Sequence, residues 1–284
     1  MKKYILLSTL LVMSVSFSAI AGGGWTPKKK KGYFKFGQNI LRSSKFYSPS
    51  GDIIDVNTIS LYTTSIYGEY GLTDRLAAIV YAPLFVRNTI NKQESRQTGM
   101  LISDGDMANA IGDLDLGIKY ALIYDKSIAL SASLTLGIPT GITNGGEGQI
   151  LQTGDGEFNQ LVKLEASKSF YPRPLYVSTL VGFNNRSEGF SEEFHFGVEV
   201  GYTFKDKLTT TFKVYNVSSL KNGEAPTSAG NAIFSNDTAY FSYGPEISYK
   251  LNNKIGVSGS AAYALSGERI LAAPNYNLGV FITL

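Results

Sequence analysis

From Asp113 to Ile138 the chain repeats with a period of two. Leu114, Leu116, Ile118, Tyr120 and Leu122 stand on one phase; Asp113, Asp115, Gly117, Lys119 and Ala121 stand on the other. After Tyr124-Asp125-Lys126 the pattern resumes, with Ile128, Leu130, Leu134, Leu136 and Ile138 against Ser127, Ser131, Ser133, Thr135 and Gly137. A period of two is that of a β-strand, whose successive side chains point to opposite faces. A soluble antiparallel sheet also has one apolar face. Here, however, the strands are long, and the other phase carries small side chains together with Asp113, Asp115 and Lys119. Lipid on the bulky side and a wet or hydrogen-bonded interior on the other account for both features, which predicts a transmembrane β-barrel.

The same alternation recurs in twelve segments of roughly ten residues, the length a tilted strand needs to cross the hydrocarbon. They are Tyr33–Phe46, Ile59–Leu72, Leu76–Arg87, Asp113–Leu122, Ser127–Ile138, Phe158–Phe170, Leu175–Asn184, Glu193–Phe204, Leu208–Ser218, Thr238–Leu251, Ile255–Leu265 and Tyr276–Leu284. The connections alternate in length. The short ones are Thr73–Arg75, Tyr124–Lys126, Tyr171–Pro174, Lys205–Lys207 and Asn252–Lys254; the long ones are Ser48–Thr58, Asn88–Ile111, Thr140–Glu157, Asn185–Glu192, Ser219–Asp237 and Ser266–Asn275. An even number of strands with short turns at one end and long loops at the other is the outer-membrane pattern. The expected fold is therefore all-β, an antiparallel up-and-down barrel with periplasmic turns, extracellular loops and both termini on the turn side. Closure leaves no unpaired edge in lipid.

The amino terminus fits export. Lys2-Lys3 precede an apolar run that ends in Ala19-Ile20-Ala21, so residues 1–21 are expected to be a signal peptide. Residues 22–32, with Trp25 and Lys28–Lys31, are expected to be a short periplasmic lead-in, a solvated tail or a contact with anionic headgroups, and 33–284 the barrel. The chain has no cysteine, so no disulfide stabilises it. Beyond the leader, no apolar run reaches the roughly 18 residues that a spanning helix requires. A formal charge of +3 gives no reason to expect a nucleic-acid partner.

Taking the phase of each strand from its bulky residues assigns the interior. Lys35, Glu69, Arg87, Asp113, Asp115, Lys119, Lys163, Glu165, Arg186, Glu193, His195, Glu199, Lys213 and Glu246 are the expected lumen-lining residues. Charge at mid-depth on the lipid face costs about 2–4 kcal/mol for Lys or Arg, so the concentration of charge on one phase is the pattern a barrel requires. Arg42 and Lys168 fall on the other phase, near strand ends where they can reach headgroups. Folding adjacent strands together places Glu199 opposite Lys213, Arg186 beside Glu193, and Arg87 beside Asp113. Acids and bases are nearly balanced, so strong ion selectivity is not expected. Twelve strands imply a narrow lumen, and small interior residues such as Ser131, Ser133, Gly137, Ser258, Ser260 and Ala262 are expected to leave part of it open.

Asn88–Ile111 is long enough to be a lid. Its Asp104-Gly105-Asp106 reads as ordinary loop chemistry, and neither metal nor cofactor is expected. His195 is the single histidine, with no serine two residues away on its strand, so a hydrolase dyad is not expected. Aromatics near the turn side, including Tyr70, Tyr120, Phe170, Tyr202, Phe204 and Tyr249, suit an interfacial girdle. The final strand, ending in Leu284, resembles the segment that barrel-assembly machinery recognises.

Glu69-Tyr70-Gly71-Leu72-Thr73-Asp74-Arg75, Tyr81-Ala82-Pro83, Gly112–Tyr120 and Gly137-Ile138-Pro139-Thr140-Gly141 resemble the outer-membrane family named for the MetA pathway of phenol degradation. That resemblance implies a transporter-like barrel for small solutes, hydrophobic or aromatic ones among them, and carries over no binding residue. The expected partners are outer-membrane lipid, the assembly machinery and a small-molecule solute. A barrel that anchors or stabilises the envelope without conducting is the alternative.

Overall fold

A computed structural model describes residues 23–95, 97–225 and 234–284, so the expected signal peptide lies outside the described residues. Twelve strands form the wall: β1 (Gly32–Tyr47), β2 (Ile53–Gly71), β3 (Leu76–Ile90), β4 (Leu114–Ile123), β5 (Ile128–Ile138), β6 (Asn159–Ser169), β7 (Leu175–Arg186), β8 (Glu193–Phe204), β9 (Leu208–Ser219), β10 (Ala239–Lys250), β11 (Ile255–Glu268) and β12 (Asn275–Thr283). Each pairs antiparallel with its neighbour in sequence, and β1 also pairs with β12 from Tyr33↔Thr283 to Leu41↔Asn275, closing the ring. The final strand is thereby sealed on both sides, by β1 and by β11. The turn between β8 and β9 is tight because Lys205 and Asp206 both take positive φ, which matches the twist of the flanking strands.

The core is inverted relative to a soluble protein. Outward positions hold Phe36, Ile118, Val162, Phe194, Phe212 and Leu278, all exposed, as an oily belt. Inward positions hold buried Glu69, Lys119, Glu165 and Glu193. Tyr120, Tyr202, Phe204 and Tyr249 face outward towards the turn end.

The structure revises the expected loops. β1 and β2 continue to Tyr47 and Ile53, so the expected loop Ser48–Thr58 shrinks to a turn closed by Ser48 N–H donating to Asp52 O (2.8 Å). Asn88–Ile111 is mostly extra wall: Asp106–Ala110 pairs with Val86–Ile90 of β3, and Gln93–Glu94 with Leu101–Ser103 form an exposed hairpin above it. It is not a lid.

A bulge also corrects one interior assignment. Ser65 of β2 faces Pro83, yet Thr64 faces Phe85, so Leu84 is an extra residue in β3. One inserted residue reverses the side-chain phase of everything beyond it. Val86 and Asn88 become the buried positions, and Arg87 turns outward and exposed, away from Asp113. The proline at the irregularity has no N–H to give to the ladder.

Candidate solute path

The other assigned residues fall on the inward side, most of them in two polar networks. Towards the turn end, Lys119 of β4 is wedged between Glu69 of β2 (3.3 Å) and Glu165 of β6 (3.4 Å), all almost fully buried. Tyr67 donates to Glu69, and Ser133 donates to Glu165 (3.5 Å). Across the lumen, Lys213 of β9 meets Glu246 of β10 (2.6 Å) and Glu199 of β8 (3.3 Å), Lys35 of β1 meets Glu246 (3.6 Å), and Tyr176 of β7 donates to Glu199 (2.6 Å). A cavity of about 280 Å3 lies over this row, lined also by Tyr33, Tyr67 and Tyr81.

Towards the loop end the hub is Arg186. Its Nε donates to Glu157 (2.7 Å), Nη1 to Glu193 (2.9 Å) and Nη2 to Asp155 (2.9 Å), while its guanidinium stacks over Phe190. Glu193 also receives Asn184 Nδ2 (3.2 Å) and contacts His195 Nε2 (3.1 Å); the other ring nitrogen of His195 meets Tyr215 OH (2.7 Å). Both histidine nitrogens are thus engaged, and neither partner is a serine. These groups border a second cavity of about 210 Å3, with Val217 and Tyr240. On β9, Val217 lines the upper cavity and Lys213 the lower, so Tyr215 stands between them. Asp115 and Lys163 also point inward, and neither forms a direct ion pair among the described residues.

The lid is residues 139–158, which fold down onto the hub. Asp113 holds the segment at both ends, accepting Gly141 N–H (2.9 Å) and Asp155 N–H (2.9 Å). Thr153 Oγ1 donates to Ile111 O (2.7 Å), Asn88 donates to Gln152 O (2.8 Å), and Leu151 is completely buried. Asp106 is not set up for a cation: its carboxylate accepts the N–H groups of Glu147 (3.0 Å), Gly148 (2.9 Å) and Met107 (2.7 Å), and, although desolvation opposes it, these bonds hold the acid below its ordinary range. For Asp155, burial and then the neighbouring Glu157 carboxylate push the pKa up to about 7, against the attraction of Arg186.

The turn end is also occupied. Residues 23–27 are not a periplasmic tail: they enter the barrel. Gly24 N–H donates to Ser167 Oγ (2.7 Å), Lys119 Nζ donates to Gly23 O (3.2 Å), and Trp25 packs edge-on against Tyr176 at 5.5 Å. Only Lys28–Lys31 remain exposed at the rim. Of the small residues expected to leave free space, Ser131 and Ser133 are buried opposite Glu165 and Lys119, whereas Ser260 lines the 280 Å3 cavity. The tyrosines facing inward were missed, although Tyr33, Tyr67 and Tyr215 share their strand phase with the assigned charges.

No family model matches the sequence, and no curated protein matches it. Solved structures do. An outer membrane channel from Pseudomonas putida F1 superposes with a TM-score of 0.65 at 13% identity, over 93% of this chain and 98% of that one. The NanC porin gives 0.51 at 12% identity over 88% and 100%; the translocator domain of the autotransporter NalP from Neisseria meningitidis gives 0.51 at 13% identity over 88% of each. At these identities the likeness is one of fold, and the fold is that of an outer-membrane barrel.

Proposed function

We propose that this chain is an outer-membrane channel that passes small solutes through a narrow polar lumen. The observation that carries the proposal is the closed wall itself: apolar outside, with two cavities inside lined by Lys, Glu, Arg and Tyr side chains. Channels among the fold relatives support the reading, as does the motif resemblance to the MetA-pathway barrels, which adds aromatic and hydrophobic solutes to the range. The lining favours the members of that range that carry a hydroxyl or charge, because Tyr81, Tyr176, Lys213 and Glu246 offer hydrogen bonds as well as ring faces. Outer-membrane lipid is then the belt's solvent and the assembly machinery its route there. Planar-bilayer conductance and liposome swelling with sugars, phenols and apolar aromatics test the proposal. We expect a small, weakly selective conductance and entry of hydroxylated aromatics. A second reading, a non-conducting envelope barrel, is favoured by the lid and the inserted amino-terminal segment; no conductance and no swelling under any condition would establish it.

A further inference from the structure

The segment before β1 does more than enter the barrel; it spans it. At its rim end, Lys30 N–H donates to Gly71 O (2.9 Å), Gly71 N–H donates to Lys31 O (2.9 Å), and Lys29 N–H donates to Asp74 (3.1 Å), fixing the chain beside β1 and β2. At its inner end Gly23, Gly24 and Trp25 lie against β5, β6 and β7. β7 stands opposite β1 in the ring. The strap therefore crosses the lumen from wall to wall.

Two glycines fit it to the wall. A Cβ on Gly24 would lie 2.6 Å from Ala129 O and 2.7 Å from Glu165 O; one on Gly71 would lie 2.1 Å from Lys28 O and 2.5 Å from Pro27 O. These are backbone atoms, which cannot swing aside as a flexible side chain can. Thr26, in mid-crossing, has a buried hydroxyl without a partner among the described residues, whereas Gly24 and Gly23 are held by Ser167 and Lys119.

We propose that residues 23–27 set the size and charge selection of the channel: they fill the β5–β7 side of the turn-end lumen and confine solutes to the opposite side. The space left is the 280 Å3 cavity, bounded by Tyr176 beside Trp25 and by the row Lys35, Glu246, Lys213 and Glu199. An alternating row of cations and anions with tyrosines suits a small solute that carries hydroxyls or both charges, and rejects bulk. This selection rests on the channel reading above.

Trp25 is the single tryptophan of the chain, so its fluorescence reports the strap directly. In the full exported protein, purified in detergent or reconstituted, we expect acrylamide to quench Trp25 weakly. Gly24→Val and Gly71→Val should expel the strap, raise the quenching constant several-fold and at least double single-channel conductance, while admitting larger sugars in swelling assays. A folded wall is checked by strand signature and heat-resistant migration; if one valine variant does not assemble, Trp25→Ser at the Tyr176 contact, read by conductance alone, replaces it. Strong quenching in the unaltered protein overturns the strap. Quenching that rises with no change in flux through a conducting barrel overturns its role in selection and leaves the channel reading intact. Absence of flux from every variant overturns both.

Discussion

The two ends of this barrel are filled in different ways. At the turn end, the strap is fixed by backbone fit at Gly24 and Gly71, by Ser167, and by Lys119, whose two carboxylate partners are on the wall itself. At the loop end, the lid is tied by Asp113 and Asn88 and by one guanidinium that must satisfy Asp155, Glu157 and Glu193 together. One plug is held by shape, with an ion cluster of the wall behind it. The other is held by a cluster of three carboxylates around one guanidinium, two of them on the lid itself, so it responds to protons and can open without the wall.

The largest expected effect separates these two designs. Lys119→Met leaves Glu69 and Glu165 facing each other in the interior, and removing one member of a buried ion cluster costs about 3–5 kcal/mol. Because the three groups tie β2, β4 and β6, the loss is global. Urea unfolding in lipid vesicles should show it, and Glu69→Gln with Glu165→Gln in the same chain should recover most of it. An unfolding curve for Lys119→Met that matches the unaltered protein would mean the cluster is not structural.

Arg186→Gln should be nearly as costly, about 3 kcal/mol, but local. The carboxylates of Asp155 and Glu157 are on the lid, so their repulsion from Glu193 is relieved by the lid lifting rather than by the wall opening. Protease cleavage within residues 139–158 should rise while the barrel stays intact. Cleavage spread over several strands would show that the hub supports the wall instead.

The lid carries a pH response of its own. Asp155 is raised from 3.8 to about 7 in the fold, so the folded state holds a proton that the released lid would give up. Its contribution is complete below pH 3.8 and is lost as the pH rises through about 7, with a slope of at most ~1.4 kcal/mol per pH unit. Hydrogen-exchange protection of residues 139–158, corrected for intrinsic rates, should therefore be greater at pH 5 than at pH 8, and Asp155→Asn should flatten the difference. Equal protection at both values in the unaltered protein would remove Asp155 from the latch.

The contrast between shape and charge also explains what could be read in advance. The period of two is written into every strand because lipid and lumen impose opposite demands on adjacent residues, and turn chemistry such as Lys205–Lys207 marks the short connections. Arg87 was misplaced because an extra residue at Leu84 shifts the phase without leaving a mark that alternation detects. Neither plug is periodic. Gly24 and Gly71 look like ordinary glycines until the carbonyls around them are in place, and the lid is held by Asn88 of β3, Asp113 just before β4 and Arg186 of β7, which lie far apart in sequence. Asn88–Ile111 is long but extends the wall, whereas residues 139–158 fold inward because Leu151 needs burial and Asp155 and Glu157 need Arg186.

Lys213→Gln should have the smallest effect on stability and tests whether charge in the open part of the lumen has a different job from charge in the plugs. Lys213 bridges Glu199 and Glu246, but its side chain is 46% exposed to the cavity, in contrast to 2% for Lys119. An exposed bridge of this kind contributes under about 1 kcal/mol, because water and salt screen it. Stability should scarcely move. Selectivity should: with Lys213 replaced by a neutral side chain, the row beside the passage loses one cation and Glu199 and Glu246 are left with Lys35, so the reversal potential in a salt gradient should shift towards cations. Arg87→Gln, a charge removed from the outer face, should leave the same potential unchanged. If both substitutions shift it equally, or neither does, the row around Lys213 is not where ions pass.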